Sequence, residues 1–296
     1  MTPRRRAALV LAWLVATFLL VVCARSIDWT RAIEVAATAR PSWLAVSVVA
    51  NAAILTAWAV FWRTLVPRAD GRASYGRMFE VVSVASALMN TVPFGGGHAS
   101  SVVLLARRAG TTHKSALSVL ALDQLGEGLA KVLAFLLVAL IVPLPAWMRA
   151  SITTVSLAVG AWFVALMIAS RWATGLEVLK DARRSVLAMG CVLAMKAAEV
   201  AGIVAVQHAF GIVVPFGGTL LVFAALVLAT MLPVAPANLG TYEAAAFVAY
   251  RYLGLAPEQA LGLAVVQHVC FLIPTAGLGY AFMSARTFSR SAMASQ

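Results

Sequence analysis

Apolar residues in this chain come in long blocks separated by short basic or polar connections. Runs at 7–24, 42–62, 115–142, 147–170, 185–210 and 257–283 are each long enough, at ~1.5 Å per residue, to cross a hydrocarbon core of ~30 Å as helices. These six are the predicted full spans. Two further apolar stretches are interrupted part-way. Between Gly218 and Leu253, two runs of about 14 residues, or ~21 Å each, flank a break carrying Pro233, Pro236, Asn238 and Gly240, with Glu243 just beyond it. Between Met78 and Ala106, the runs 78–90 and 98–106 flank Asn90, Pro93, Gly95-Gly96-Gly97 and His98. Interrupted backbone at membrane depth is tolerated only where it is buried in protein or lines a wet cavity. The pattern predicts two re-entrant helical hairpins, each seating polar groups inside a bilayer.

The two breaks fall in register. A shift of 143 residues (236 − 93) carries Pro93 onto Pro236, Gly97 onto Gly240 and Arg108 onto Arg251. One inserted residue later, Gly110 falls on Gly254, Ala116-Leu117 on Ala260-Leu261, and Gln124 on His268. Matches at Pro, Gly and Arg weigh more than matches of Ala or Leu, which an apolar chain makes cheap. The reading is a duplication within one membrane domain, 1–296, with halves of about 1–142 and 143–296.

Composition agrees with that reading. Of 296 residues, 62% are hydrophobic and 11% charged, where a soluble domain carries about a quarter charged. The net charge of +12 does not form a nucleic-acid stripe, because its residues sit in short clusters between the spans, as topology signals and anionic-lipid contacts do. With the N-terminus inside, the cytoplasmic segments hold sixteen Lys and Arg and the outer ones five, the asymmetry expected of short loops. That assignment makes both termini cytoplasmic and opens the first hairpin to the cytoplasm and the second to the outside. The predicted fold class is therefore an all-α polytopic membrane protein: six full transmembrane helices plus two re-entrant hairpins in an inverted repeat, a transporter architecture. A bacterial-type inner membrane is the expected location.

Ionisable residues inside spans are functional candidates by default, since hydrocarbon excludes unpaired charge. Asp123, Glu127 and Lys131 follow i, i+4, i+8 and share one helix face. Two acids against one lysine leave a surplus negative charge there. Lys196 and Glu199 sit mid-way along the fifth span, as a substrate-handling pair or as an ion pair that only fixes packing. Glu243 either complements the dipole of the helix it begins or binds a headgroup. Asn90 and Asn238 are expected to satisfy backbone groups freed at the breaks, and the three glycines to let the hairpin tips approach each other. His98 either holds a phosphate or packs. His208 and His268 are read as lying near span ends. Cys23, Cys191 and Cys270 have no ligand spacing, so neither disulfide nor metal is expected, and no cofactor motif is present. Without His-Glu-x-x-His or Gly-x-Ser-x-Gly, the zinc-protease and serine-hydrolase classes have no support.

At these residues the chain resembles the lysyl-phosphatidylglycerol synthase transmembrane-region family, whose best understood members form the flippase half of multiple-peptide-resistance proteins. The resemblance rests on Ala-Arg-Ser-Ile-Asp28-Trp29, on Asn90-x-x-Pro93…Gly97, on Asp123-Gln124-x-x-Glu127 and on Pro233-x-x-Pro236-x-x-x-Gly240-x-x-Glu243. The last is the most specific, being similar to a family pattern Pro-x-Ser-Pro-Gly-Gly-x-Gly-x-x-Glu. Ala235 departs from its serine and Ala237-Asn238 from its glycine pair. His98 stands where an acid often follows the glycine, Ser101 where an arginine is common, and Gln124 where the family has arginine between its acids.

The resemblance implies a lipid translocase rather than an enzyme, with aminoacylated phospholipids, polyprenyl-phosphate sugars or hopanoids as substrate classes. No soluble aminoacyl-transferase domain is visible, so aminoacyl-lipid synthesis is not expected. Lipid and membrane are the implied partners, and nucleic acid is not. A homo-oligomer or a lipid-synthesis enzyme remains open as protein partner. Two other readings stay in view: a non-transporting subunit of a lipid-synthesis complex, and a polyprenyl-dependent membrane glycosyltransferase.

Overall fold

The computed structural model describes residues 30, 34, 37–71, 73–92, 96–142, 144–170, 181–231 and 236–294, and every regular element among them is helical. The predicted first span (7–24) and the break prolines Pro93 and Pro233 lie outside the described residues. The helices are α1 (Pro41–Leu65), α2 (Tyr75–Thr91), α3 (Gly96–Arg108), α4 (His113–Ile141), α5 (Ala146–Ser170), α6 (Ala182–Ala209), α7 (Phe216–Thr230), α8 (Thr241–Tyr252), α9 (Pro257–Leu272) and α10 (Leu278–Ala294). A π-helical turn, Ile273–Gly277, joins the last two.

Local chemistry sets many of the boundaries. Ser74, Thr112 and Asp181 each accept a hydrogen bond from a backbone N–H three residues on, at Arg77, Ser115 and Arg184. These are N-caps that satisfy an orphan donor of the first turn. Pro41 and Pro257 stand at first helical positions, where the missing N–H costs nothing. Four helical runs are long and apolar enough to cross a membrane: Pro41–Leu65, His113–Ile141, Ala182–Ala209 and Pro257–Arg286. The 25-residue α5 occupies the position of the predicted fourth span. By contrast α3, α7 and α8 have 13, 15 and 12 residues, or roughly 18–23 Å.

Helices α1 and α6 lie against each other in opposite directions. Arg40 N donates to Ala209 O at one end, and the Arg184 guanidinium caps the carbonyls of Thr64 and Val66 at the other. The basic ends gather on the Arg184 side. Arg68 pairs with Asp181 across the two loops, Asp70 accepts from Thr112 N at the start of α4, and Glu80 of α2 pairs with Arg108 of α3 and Arg286 of α10. With no breaker after Gly279, the last helix runs on through Arg286 to Ala294.

The short helices form two antiparallel pairs that open at opposite ends of the bundle. Helices α2 and α3 have their outer ends at the basic end, joined by Glu80–Arg108. At the start of α7, Gly217 lies against Ile141 and Val142 and Gly218 against Leu253, which puts the outer ends of α7 and α8 beside the C-terminus of α4. The turn Pro236–Asn238 between α7 and α8 packs on α2 of the other pair. At the first break, Gly97 serves a close contact within its own pair. A Cβ on Gly97 would sit 2.4 Å from Met89 Cα, so Gly97 lets the two arms of one pair close on each other.

Apolar packing divides into two bodies. One holds Trp62, Met78, Leu105, Val119 and Val192 among others, and the second holds Phe135, Phe223, Tyr250 and Leu263. Along α4 the first ends at Ala130 and the second begins at Ala134; along α6 they meet between Met195 and Val200. Lys131, Lys196 and Glu199 fall in those gaps.

Candidate functional site

Glu127 is the central residue of α4, and Lys196 stands next to the centre of α6. Their side chains meet, with Lys196 Nζ 3.0 Å from Glu127 Oε2 and 3.1 Å from Glu199 Oε2. Lys131 lies one turn from Glu127, Nζ to Oε2 3.9 Å. Two carboxylates and two ammoniums thus form one network bridging two spans at mid-length. These four side chains keep 17–24% of their surface exposed, so the network borders open space rather than being sealed inside the packing. The sequence grouped Asp123, Glu127 and Lys131 separately from Lys196 and Glu199. The fold joins the groups, leaving one formal negative charge, that of Asp123.

Asp123 is held differently, among the described residues without a salt bridge. Trp62 Nε1 and Trp58 Nε1 donate to Oδ1 at 2.7 and 2.8 Å, and Gln124 Nε2 donates to Oδ2 at 3.2 Å. The residue is 1% exposed, which removes the possibility that it sits at an exposed helix end. Neutral donors of this kind satisfy a carboxylate without cancelling its charge. Both tryptophans were missed from sequence. Their signal was the spacing i, i+4 on an apolar span, which puts two indoles on one face.

Glu243 sits at the third position of α8. Its Oε2 accepts from Gly240 N at 2.7 Å, and its Oε1 lies 2.7 Å from His268 Nδ1. The first contact is the N3 half of a capping box, with no side chain at Gly240 to return the other half. The second overturns the reading of His268 as a span-end residue. It is 2% exposed within α9, stacked on Tyr242 with ring centroids 4.1 Å apart. The available signal was the repeat register, which set His268 on Gln124. His208 does stand at a helix end, stacked on Trp43.

A chain of buried hydrogen bonds backs this corner. Thr219 Oγ1 donates to Gln207 Oε1, Gln207 Nε2 to Tyr250 Oη, Tyr250 Oη to Gln267 Oε1, and Gln267 Nε2 to Tyr242 Oη. On the α4 side, His98 Nε2 lies 3.4 Å from Gln124 Nε2.

Among the described residues, Asn90 Nδ2 donates to Ser86 O, one turn back in its own helix, and the N–H at Gly240 donates to Glu243. Asn238 receives Thr241 Oγ1 on its backbone carbonyl, while its own Oδ1 is buried with no hydrogen-bond partner among the described residues. Ala237 and Asn238 have φ of 54° and 53°, the left-handed region where L side chains are strained. The break therefore needs, at these two positions, the conformation that a glycine pair supplies freely. Among the described residues, no group of three or more His, Cys, Asp or Glu is placed to hold a metal ion.

This arrangement, polar groups on broken and unbroken helices meeting between two apolar bodies, coincides with a family match over nearly the whole chain. The family model for the lysylphosphatidylglycerol synthase TM region matches residues 7–279. The chain belongs to that family. It is a multi-pass membrane protein of the lysylphosphatidylglycerol synthase transmembrane-region family. A search of curated proteins returned no match.

Proposed function

We propose that this member of the family is a lipid translocase, passing a polar headgroup between leaflets while the acyl chains stay in hydrocarbon. The observation that carries the reading is the Glu127–Lys196–Glu199 network with Lys131, charged and partly exposed at the middle of two long apolar helices. Ionisable groups at that depth need a wet or polar surround, and a headgroup path supplies one. The α2–α3 and α7–α8 pairs are then re-entrant hairpins entering from the cytoplasmic and outer faces, with both termini in the cytoplasm of a bacterial-type inner membrane.

An inverted duplication underlies the proposal. Exchanging α1 with α6, α2–α3 with α7–α8, and α4 with α9 maps the helix contacts onto one another: α1 on α9 matches α6 on α4, and α1 on α2 matches α6 on α7. Gly110 and Gly254, equivalent by the sequence shift, both take positive φ after the helix that follows a break. Glu243, Glu127 and Asp123 bind or relay charge, and Asn238 offers an unused acceptor. The substrate is a lipid with a polar headgroup, of the aminoacyl, polyprenyl-phosphate or hopanoid kinds that the family takes.

Reconstitution in vesicles with a fluorescent headgroup-labelled phospholipid tests the reading. Glu127→Gln and Glu243→Gln, each purified folded, are expected to lose headgroup movement; unchanged movement in both overturns it. A second reading has its own support, since Glu127, Lys131, Lys196 and Glu199 are mutually paired and would also serve as packing in a non-transporting subunit of a lipid-synthesis complex. That reading expects no headgroup movement in the wild type and stable co-purification with an enzyme.

A further inference from the structure

One long apolar run, Pro257–Arg286, reaches both short pairs, and the π-helical turn Ile273–Gly277 lies between its two points of contact. Before the turn, His268 of α9 meets Glu243 of α8. After it, α10 lies antiparallel along α2. A Cβ built on Gly279 falls inside contact distance of the Ser83 carbonyl oxygen and of Ala87 Cβ, so only glycine fits there. Tyr280 Oη donates to Thr91 Oγ1 at 2.7 Å, Phe282 packs its ring edge-on to Phe79, and Arg286 pairs with Glu80. Helix α4 runs 29 residues with no such turn, so length alone does not demand one.

A π turn closes i→i+5 bonds and so takes in one residue more than the α turn it replaces. Each residue beyond it therefore stands where its predecessor would stand in an unbroken α-helix. Were the turn to relax to α with α9 held on the second pair, everything beyond it would rotate by ~100° and advance by ~1.5 Å. Leu278 would then take the place of Gly279, Gly279 that of Tyr280, Ala281 that of Phe282 and Ala285 that of Arg286. The three side-chain contacts with α2 would be lost, and a leucine would enter the space that admits no Cβ. An α register in the last span and the docked position of α2 exclude each other. Pro274, buried in the turn, has no N–H for the carbonyl four residues back and would crowd it in an α-helix. That holds the turn in its π form.

We propose that this π turn is a register switch for the first short pair: in its π form α10 docks α2, and in its α form α10 turns by one residue and releases α2 together with α3. Because His268 fixes the α9 half on the second pair, the two breaks are joined through one span whose register decides whether α2 is held. The inference does not rest on translocation.

Hydrogen–deuterium exchange of the full chain in detergent micelles tests it, read as the amide exchange rate of peptide 75–91 with peptide 115–141 of α4 as reference. Pro274→Ala restores the donor that an α turn needs and is expected to speed exchange in 75–91 by at least about tenfold, since the opening that permits exchange no longer carries the cost of an interior proline. Deleting Ala276 in the same background leaves an unbroken α-helix in which Gly279, Tyr280, Phe282 and Arg286 face α2 again. That deletion should return the rate to the wild-type value or below, a rescue that a proline acting only by packing does not give. Exchange in 75–91 unmoved by Pro274→Ala, or still fast after the deletion, overturns the proposal. Should the deletion variant not fold, Gly279→Ala takes its place. Its Cβ alone excludes α2, so it should speed exchange by itself and add less than its full effect to Pro274→Ala. Full additivity of the two overturns the proposal. None of these readouts measures lipid movement, so the switch and the translocase reading fail separately.

Discussion

Trp62 of α1 donates its indole N–H to Asp123 of α4 at 2.7 Å, and Trp58, one turn earlier, reaches the same oxygen at 2.8 Å. Two indoles thus hold a carboxylate that is 1% exposed and, among the described residues, forms no salt bridge. Removing Asp123 leaves both donors without an acceptor, at about 1–3 kcal/mol per buried orphan group. Asp123→Ala is expected to lower thermal stability in detergent more than Asp123→Asn, which keeps an acceptor oxygen. A double-mutant cycle with Trp62→Phe should give a coupling of about 1.5–3 kcal/mol, the range for a bond to a charged group. Additive effects would mean the contact contributes nothing.

Glu127 should be the most sensitive member of the ionic network, because among the described residues it alone touches both lysines. Glu127→Gln leaves Lys131 without an acid in contact. Breaking a buried pair costs about 3–5 kcal/mol, and with about a fifth of each side chain exposed the lower end of that range applies. The charge swap Glu127→Lys with Lys196→Glu keeps that one pair but puts like charges side by side at 127 and 131 and at 196 and 199, so it should melt no higher than Glu127→Gln.

At the second break, His268→Gln keeps a hydrogen-bonding group for Glu243 but removes the ring stacked on Tyr242, whereas His268→Phe keeps the ring and removes the bond. If the Glu243–His268 contact matters for headgroup movement, the glutamine variant retains more of it than the phenylalanine variant. If stacking alone matters, the order reverses. Vesicle-based flipping of both variants, normalised to folded protein, decides between them.

The left-handed backbone at Ala237 gives a prediction of opposite sign. Ala237→Gly should raise stability by about 1 kcal/mol, the cost of an L residue in that region, with a smaller gain at Asn238, since asparagine tolerates it better. Gly97→Ala is expected to destabilise by about 1–3 kcal/mol, as overpacking does, because its Cβ would collide with the backbone at Met89. Equal melting temperatures for wild type and Gly97→Ala would show that the α2–α3 crossing can relax.

Much of the helical plan was legible because it follows from the chain's own arithmetic. Block lengths gave α1, α4, α5 and α6 to within a few residues, and Pro and Gly marked the interruptions that end α2, α7 and their partners. The mid-span charges were legible too, since charge at that depth stands out against an apolar run. Their partners were not. Trp58 and Trp62 read as ordinary apolar residues, His268 as a span-end histidine, and Lys196–Glu199 as a pair of its own, because each partnership crosses between helices that the sequence leaves unordered in space.

The amino-acid order by itself determined what each segment can do: cross a bilayer, stop short, cap a helix, or carry a charge into an apolar run. These are local properties, fixed by the period of a helix, the geometry of Pro and Gly, and the cost of burying charge. Only the tertiary structure decided which charges neutralise which, and that Glu243 both caps α8 and meets His268. Those outcomes depend on how helices far apart in sequence pack side by side, and no periodicity within one helix encodes its neighbour.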